Sequence, residues 1–148
     1  MSKNTLSILK KAIEVEDKVY ALFSDASSKT NDADMIRILE ELAQEELEHR
    51  DLLISILEKD FKEYSLKGIN VSHQTKFLEI EPISANSSFF EIMRFAIMKS
   101  EKAFLFFREL ELASLSKEVV EIYGKIANLE LALKNRLEEV FFEFNNNK

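Results

Sequence analysis

An all-α fold is predicted for this chain from three observations. Only two Gly and one Pro punctuate its 148 residues, while Leu, Glu, Lys, Ile and Ala dominate, a balance that favours a few long helices over many strands and turns. Apolar residues recur at spacings of three and four through the long stretches on either side of a less regular middle segment, which is the stripe of helices packed on one face. Shifting the chain by 84 residues lays the first helical pair onto the second without a gap, so two repeated hairpins are expected. An apolar content of 46%, with 12 Phe and 3 Tyr, suits a single domain over residues 1–148 with a real core.

Helix 1 is expected from about Thr5 to Ser27, with Leu6, Leu9, Ile13, Tyr20 and Phe23 on its stripe and Glu16 on or beside it. The polar break from Ser27 to Asp32 offers turn residues and N-cap candidates for helix 2. Helices 1 and 2 therefore form an antiparallel hairpin. Helix 2, from about Asp32 to Tyr64, carries Met35, Ile38, Leu39, Leu42, Glu46, His49, Leu53 and Leu57 near one face. From Ser65 to Ser87 the periodicity lapses, Gly68 and Pro82 appear, and Val71, Phe77, Leu78 and Ile80 are scattered. A connection this long reads as the crossover that takes a four-helix bundle away from simple up-down order.

Ser88-Phe89-Phe90-Glu91 has the form of a capping box and opens helix 3, which is expected to end near Ser114. Ser116 can cap helix 4, with Glu118 in its first turn and its end near Phe144, leaving Asn145 to Lys148 to fray. The repeat halves are about 5–64 and 88–144. Between them Ala12 matches Ala96, Ile13 Ile97, Lys18 Lys102, Tyr20 Phe104, Phe23 Phe107, Ile38 Ile122, Leu42 Ile126, Ala43 Ala127, Glu46 Glu130 and Leu53 Leu137.

A formal net charge of −7, with no Lys/Arg cluster beyond short pairs, argues against nucleic acid or an anionic membrane as a partner. No apolar run approaches the roughly 18 residues that span a bilayer, and the N-terminus is amphipathic rather than signal-like, so the cytoplasm is the expected compartment. Zero cysteines exclude disulfides, thiolate catalysis and iron–sulfur clusters. Any metal must be held by carboxylates and imidazole. Only His49 and His73 offer the latter.

Glu46 and His49 lie three apart on helix 2 and so project together. A Glu-x-x-His facing a lone Glu on a neighbouring helix, available here as Glu16, is how carboxylate-bridged centres are built in helical bundles. The repeat adds Glu130 in register with Glu46. It also sets Ser100 against Glu16 and Leu133 against His49, so the second half has lost two candidate ligands.

On Ala12-Ile13-Glu14-Val15-Glu16 with Phe23, Leu42-Ala43-Gln44-Glu45-Glu46-Leu47-Glu48-His49, and the second copies Ala96-Ile97 to Phe107 and Ala127-Asn128-Leu129-Glu130, the chain resembles the rubrerythrin-like branch of the ferritin-like di-iron carboxylate superfamily. The resemblance covers nearly the whole chain. It implies a ferritin-like antiparallel four-helix bundle with the long crossover between helices 2 and 3. It also implies a metal centre in which Glu16 and His49 are terminal ligands and Glu46 and Glu130 take the bridging positions. These four residues form the complete set for one ion of Fe, or alternatively Mn or Zn, per chain.

The second half-site is degenerate at Ser100 and Leu133, which weakens any rubrerythrin-like oxidoreductase activity on peroxide or dioxygen. The resulting expectation is a metal-binding protein linked to oxidative-stress or iron handling, with an external electron donor and a homodimeric state. The alternative is a non-catalytic ferritin-like domain that works through self-association or a protein partner. If no metal binds, at least one of the buried carboxylates must be protonated or paired with a base.

Lys134 could place an ammonium in the vacated metal position and Glu101 could swing in beside Ser100, but the offset pairs them with Arg50 and Asp17, which reads both as solvated. Tyr20 and Tyr123 could reach the site, although core positions with a bonded hydroxyl are the simpler reading. His73 is expected to be exposed. Phe89-Phe90, Phe106-Phe107 and Phe141-Phe142 are expected to be core or interface.

Overall fold

The structure, a computed structural model, describes residues 3–58, 76–114 and 116–146. It is all-helical: α1 spans Lys3–Ser27, α2 Ala33–Glu58, α3 Phe89–Ala113 and α4 Lys117–Asn146, and no strand occurs among the described residues. The predicted extension of helix 2 to Tyr64, the start of the crossover and His73 lie outside the described residues. No helix is long and apolar enough to cross a membrane, among the described residues.

The helix ends follow the capping chemistry. Asp32 Oδ1 accepts from the backbone N–H of Asp34 and Met35 at 3.0 and 3.1 Å, stopping the turn and opening α2. At α3 the capping box is complete: Ser88 Oγ accepts from Glu91 N at 3.1 Å, and the Glu91 carboxylate accepts from Ser88 N at 3.4 Å. Ser116 caps α4 through Val119 N at 3.4 Å. The last helix runs to Asn146, two residues past Phe144, because the Phe-rich turn is anchored on α3.

α1 packs along α2, α3 packs along α4, and α2 also meets α4. Phe89, the first residue of α3, packs with its ring tilted against Phe144 near the end of α4, the centroids 5.0 Å apart, and Phe90 meets Phe141 edge-on at 5.9 Å. These contacts set the α3–α4 hairpin antiparallel. One core joins all four helices, and the repeat pairs Ala12/Ala96, Phe23/Phe107, Leu42/Ile126, Ala43/Ala127, Glu46/Glu130 and Leu53/Leu137 are buried in both members, with Ile13/Ile97 and Tyr20/Phe104 partly buried at its edge. The buried stripe of α1 runs through Leu9, Ala12, Val15, Glu16, Val19 and Phe23, with Ile13 and Tyr20 on its flank.

The late crossover is part of that core. A short helical turn over residues 76–78 inserts Phe77 between Phe106 and Phe107, with ring centroids 5.0 and 5.3 Å away, and Ile80 is buried beside it. Because these apolar residues belong to an irregular segment, helical periodicity could not mark them as core.

Candidate carboxylate–histidine–lysine centre

Four rods each deliver a charged or ionisable group to the middle of the core. Glu16 follows Ala12 by one turn on α1, Glu46 and His49 lie between Leu42 and Leu53 on α2, and Glu130 stands between Ala127 and Leu133 on α4. Helical spacing places each on the stripe that the apolar neighbours force inward. Their exposures are 0%, 1%, 2% and 0%, so all four expected ligands point inward and share one locus.

The fifth member was not a sequence candidate. Lys99 of α3 is 0% exposed, and its Nζ donates to Glu16 Oε2 at 2.8 Å, Glu46 Oε2 at 2.8 Å and Glu130 Oε1 at 3.2 Å. Each of these carboxylates comes from a different helix, and the ammonium sits where they converge. The Phe77 ring lies over it, its centroid 5.9 Å from Nζ. His49 Nδ1 approaches Glu130 Oε1 at 2.6 Å, an electrostatic contact that is not aligned as a hydrogen bond.

A signal for Lys99 was present. It falls three residues after Ala96 and four before Ala103, inside the apolar stripe of α3, and the 84-residue offset sets it against the buried Val15. A lysine whose register partner is a core valine must bury its stem and find anions for its head. Lys134 instead pairs with Glu138 at 3.3 Å, with its side chain 26% exposed, and Glu101 is exposed, as the offset implied for both.

The electrostatics balance without outside help. Burial alone would lower the Lys99 pKa, but the charges of Glu130, Glu16 and Glu46 outweigh it and hold the ammonium well above its ordinary value. For His49, burial is again the largest influence and lowers the pKa, yet Glu130 beside the ring raises it overall. Burial pushes the Glu130 carboxyl up, and the nearby Lys99 and His49 charges reverse this to a net lowering. Burial followed by the Glu16 charge raises Glu46 well above the carboxylate range, while Glu16, also raised by burial, is held down in part by Lys99.

Of the three carboxyls, Glu46 is the one that burial and the Glu16 charge push furthest toward the neutral form, whereas Lys99 and His49 favour the ionised form of Glu130. The Lys99 ammonium bonds to all three, which meets the sequence-level requirement that metal-free carboxylates be protonated or paired.

A metal ion can be tested against the same residues. Glu16, Glu46 and His49 each offer one donor atom, and these atoms lie within 4.8 Å of one another. That group could hold one ion, and Glu130 borders it through His49. Oxygen donors bind such ions at roughly 2.0–2.2 Å, so an ion held by the Oε2 atoms of Glu16 and Glu46 would collide with the Lys99 ammonium bonded to both. With those oxygens as donors, the group fits a single ion once Lys99 leaves.

At the positions matching Glu16 and His49, Ser100 and Leu133 are buried, and neither completes a second ion site. Tyr123 is a core residue, as expected, but its hydroxyl has no partner, and burial raises its pKa. Comparison with protein-family models, curated proteins and solved structures finds no match.

Proposed function

We propose that this chain is a ferritin-like four-helix bundle, built from a duplicated hairpin, in which the Lys99 ammonium has replaced the central metal ion. It is a non-catalytic helical domain descended from a rubrerythrin-like ancestor. The observation that carries this reading is the buried Nζ of Lys99 bonded to carboxylates of α1, α2 and α4. An internal cation neutralises the carboxylates that would otherwise need an ion, and its charge does not depend on metal supply. Phe142, 67% exposed near the end of α4, provides apolar surface for a homodimer or a protein partner. A cytoplasmic setting agrees with the acidic, cysteine-free chain.

A second reading is supported by the compact Glu16, Glu46 and His49 donor group. In it, iron, manganese or zinc displaces the ammonium and serves peroxide or iron handling with an external electron donor. Elemental analysis of untagged protein purified without chelators separates the two. The lysine-filled reading predicts no stoichiometric metal, and one tightly held ion per chain would overturn it. Sedimentation of the wild type and Phe142→Glu tests the association surface: the wild type should self-associate or capture a partner, and the variant should lose that behaviour.

A further inference from the structure

We infer that Lys99 masks a latent site for one divalent metal ion, and that its ammonium is the single feature keeping such an ion out. The inference rests on the lysine-filled reading above and adds a claim about what lies beneath the lysine. Its first support is the division of labour among helices: α1, α2 and α4 supply the donors, whereas α3 contributes only the competing cation. Shortening the residue at 99 would therefore empty the centre without removing a ligand.

The second support is that donor capacity is left over. Glu16 Oε1 is buried without a hydrogen-bond partner, although Glu16 Oε2 binds Lys99. A buried carboxylate oxygen left unbonded, within a group whose donor atoms lie within 4.8 Å of one another, is one that a cation of higher charge would engage. The third is charge. The ammonium bonded to Glu16, Glu46 and Glu130 brings one positive charge to three carboxyl groups, and a divalent ion in its place would bring two. Phe77 roofs the centre and would limit water access to it. Hard oxygens with one imidazole suit manganese(II), iron(II) or zinc(II). With Ser100 and Leu133 at the matching positions, the capacity is one ion.

The test is titration of the full-length wild type, Lys99→Ala and Lys99→Arg with manganese(II), and separately with zinc(II), each followed by equilibrium dialysis and thermal unfolding. Lys99→Ala should bind one ion per chain, on the order of 100-fold more tightly than the wild type or Lys99→Arg, since the repelling charge at contact distance is gone. Adding His49→Ala to Lys99→Ala should abolish that binding. If Lys99→Ala is unfolded alone, either ion should restore its folding, because an ion that binds only the native state stabilises it.

A Lys99→Ala chain that neither binds nor is refolded by metal, with the wild type also metal-free, overturns the mask and leaves the lysine-filled reading standing. A wild type that binds as tightly as Lys99→Ala overturns both.

Discussion

Lys99 Nζ stands 2.8 Å from Glu46 Oε2 although the two residues are 53 positions apart, and both are cut off from solvent. This contact joins the two hairpins at their centre. The carboxyl that burial pushes furthest toward its neutral form is thus set beside the ammonium that neutralises its neighbours Glu16 and Glu130.

Removing the cation should be costly. Lys99→Met keeps most of the apolar stem but leaves Glu16 and Glu130 without their main countercharge, and breaking a buried ion pair from one side costs about 3–5 kcal/mol. Urea unfolding at neutral pH should show a loss of that size. A loss below about 1 kcal/mol, the range of an exposed pair, would mean the ammonium does not sit among the carboxylates.

The carboxylates should respond unequally. Burial and the Glu16 charge push Glu46 toward its neutral form, so Glu46→Gln substitutes a neutral group of similar shape and should cost no more than about 1 kcal/mol. Glu130 is held toward its ionised form by Lys99 and His49, so Glu130→Gln removes the carboxylate beside His49 and one of the three bonded to Lys99 and should cost about 3 kcal/mol or more. Equal losses in the two variants would contradict this difference between the carboxyls.

Stability should fall as the solution becomes alkaline. His49 has a folded pKa raised above its ordinary 6.5, so its contribution is complete below that value and is lost as pH rises through the folded pKa. Glu46 and Glu16, raised above 4.5, act with the same sign. Glu130, lowered, acts oppositely: its contribution is present above 4.5 and is lost only as pH drops through its folded value. The melting temperature should decline from about pH 6.5 upward, and His49→Gln should flatten that decline. An unchanged slope in His49→Gln would show that the ring does not take up a proton in the fold.

The cap of α3 should behave as a local device. Ser88→Ala removes the acceptor for Glu91 N and should cost about 1 kcal/mol. It should leave the His49-dependent alkaline slope intact, because Ser88 lies outside the central cluster. A larger loss accompanied by a changed slope would mean that the start of α3 and the Lys99 position are coupled.

The four expected ligands were legible because helical spacing and the repeat are properties of the chain itself. Glu16, Glu46, His49 and Glu130 each fall between residues whose apolar character forces that face inward. Lys99 was not legible by the same route. A search for metal donors passes over a cation, and lysine is ordinarily a surface residue, so attention fell on Lys134 next to the degenerate position 133. The stripe through Ala96, Lys99 and Ala103, and the register match to the buried Val15, marked it.

Phe77 escaped for a different reason. It is carried by an irregular segment whose packing depends on the space left by Phe106 and Phe107, which spacing along the chain does not encode. Helix starts at Asp32, Ser88 and Ser116 were readable because capping is local chemistry.

The most direct test of the central claim is nitrogen-detected NMR of the lysine side chains in the metal-free wild type at neutral pH, with Lys99→Met as the reference for assignment. A buried ammonium bonded to three carboxylates should give one Nζ signal with slowly exchanging protons that disappears in Lys99→Met. Finding every lysine Nζ in fast exchange with water, or finding that one equivalent of manganese(II) abolishes a protected signal in the wild type, would contradict the account.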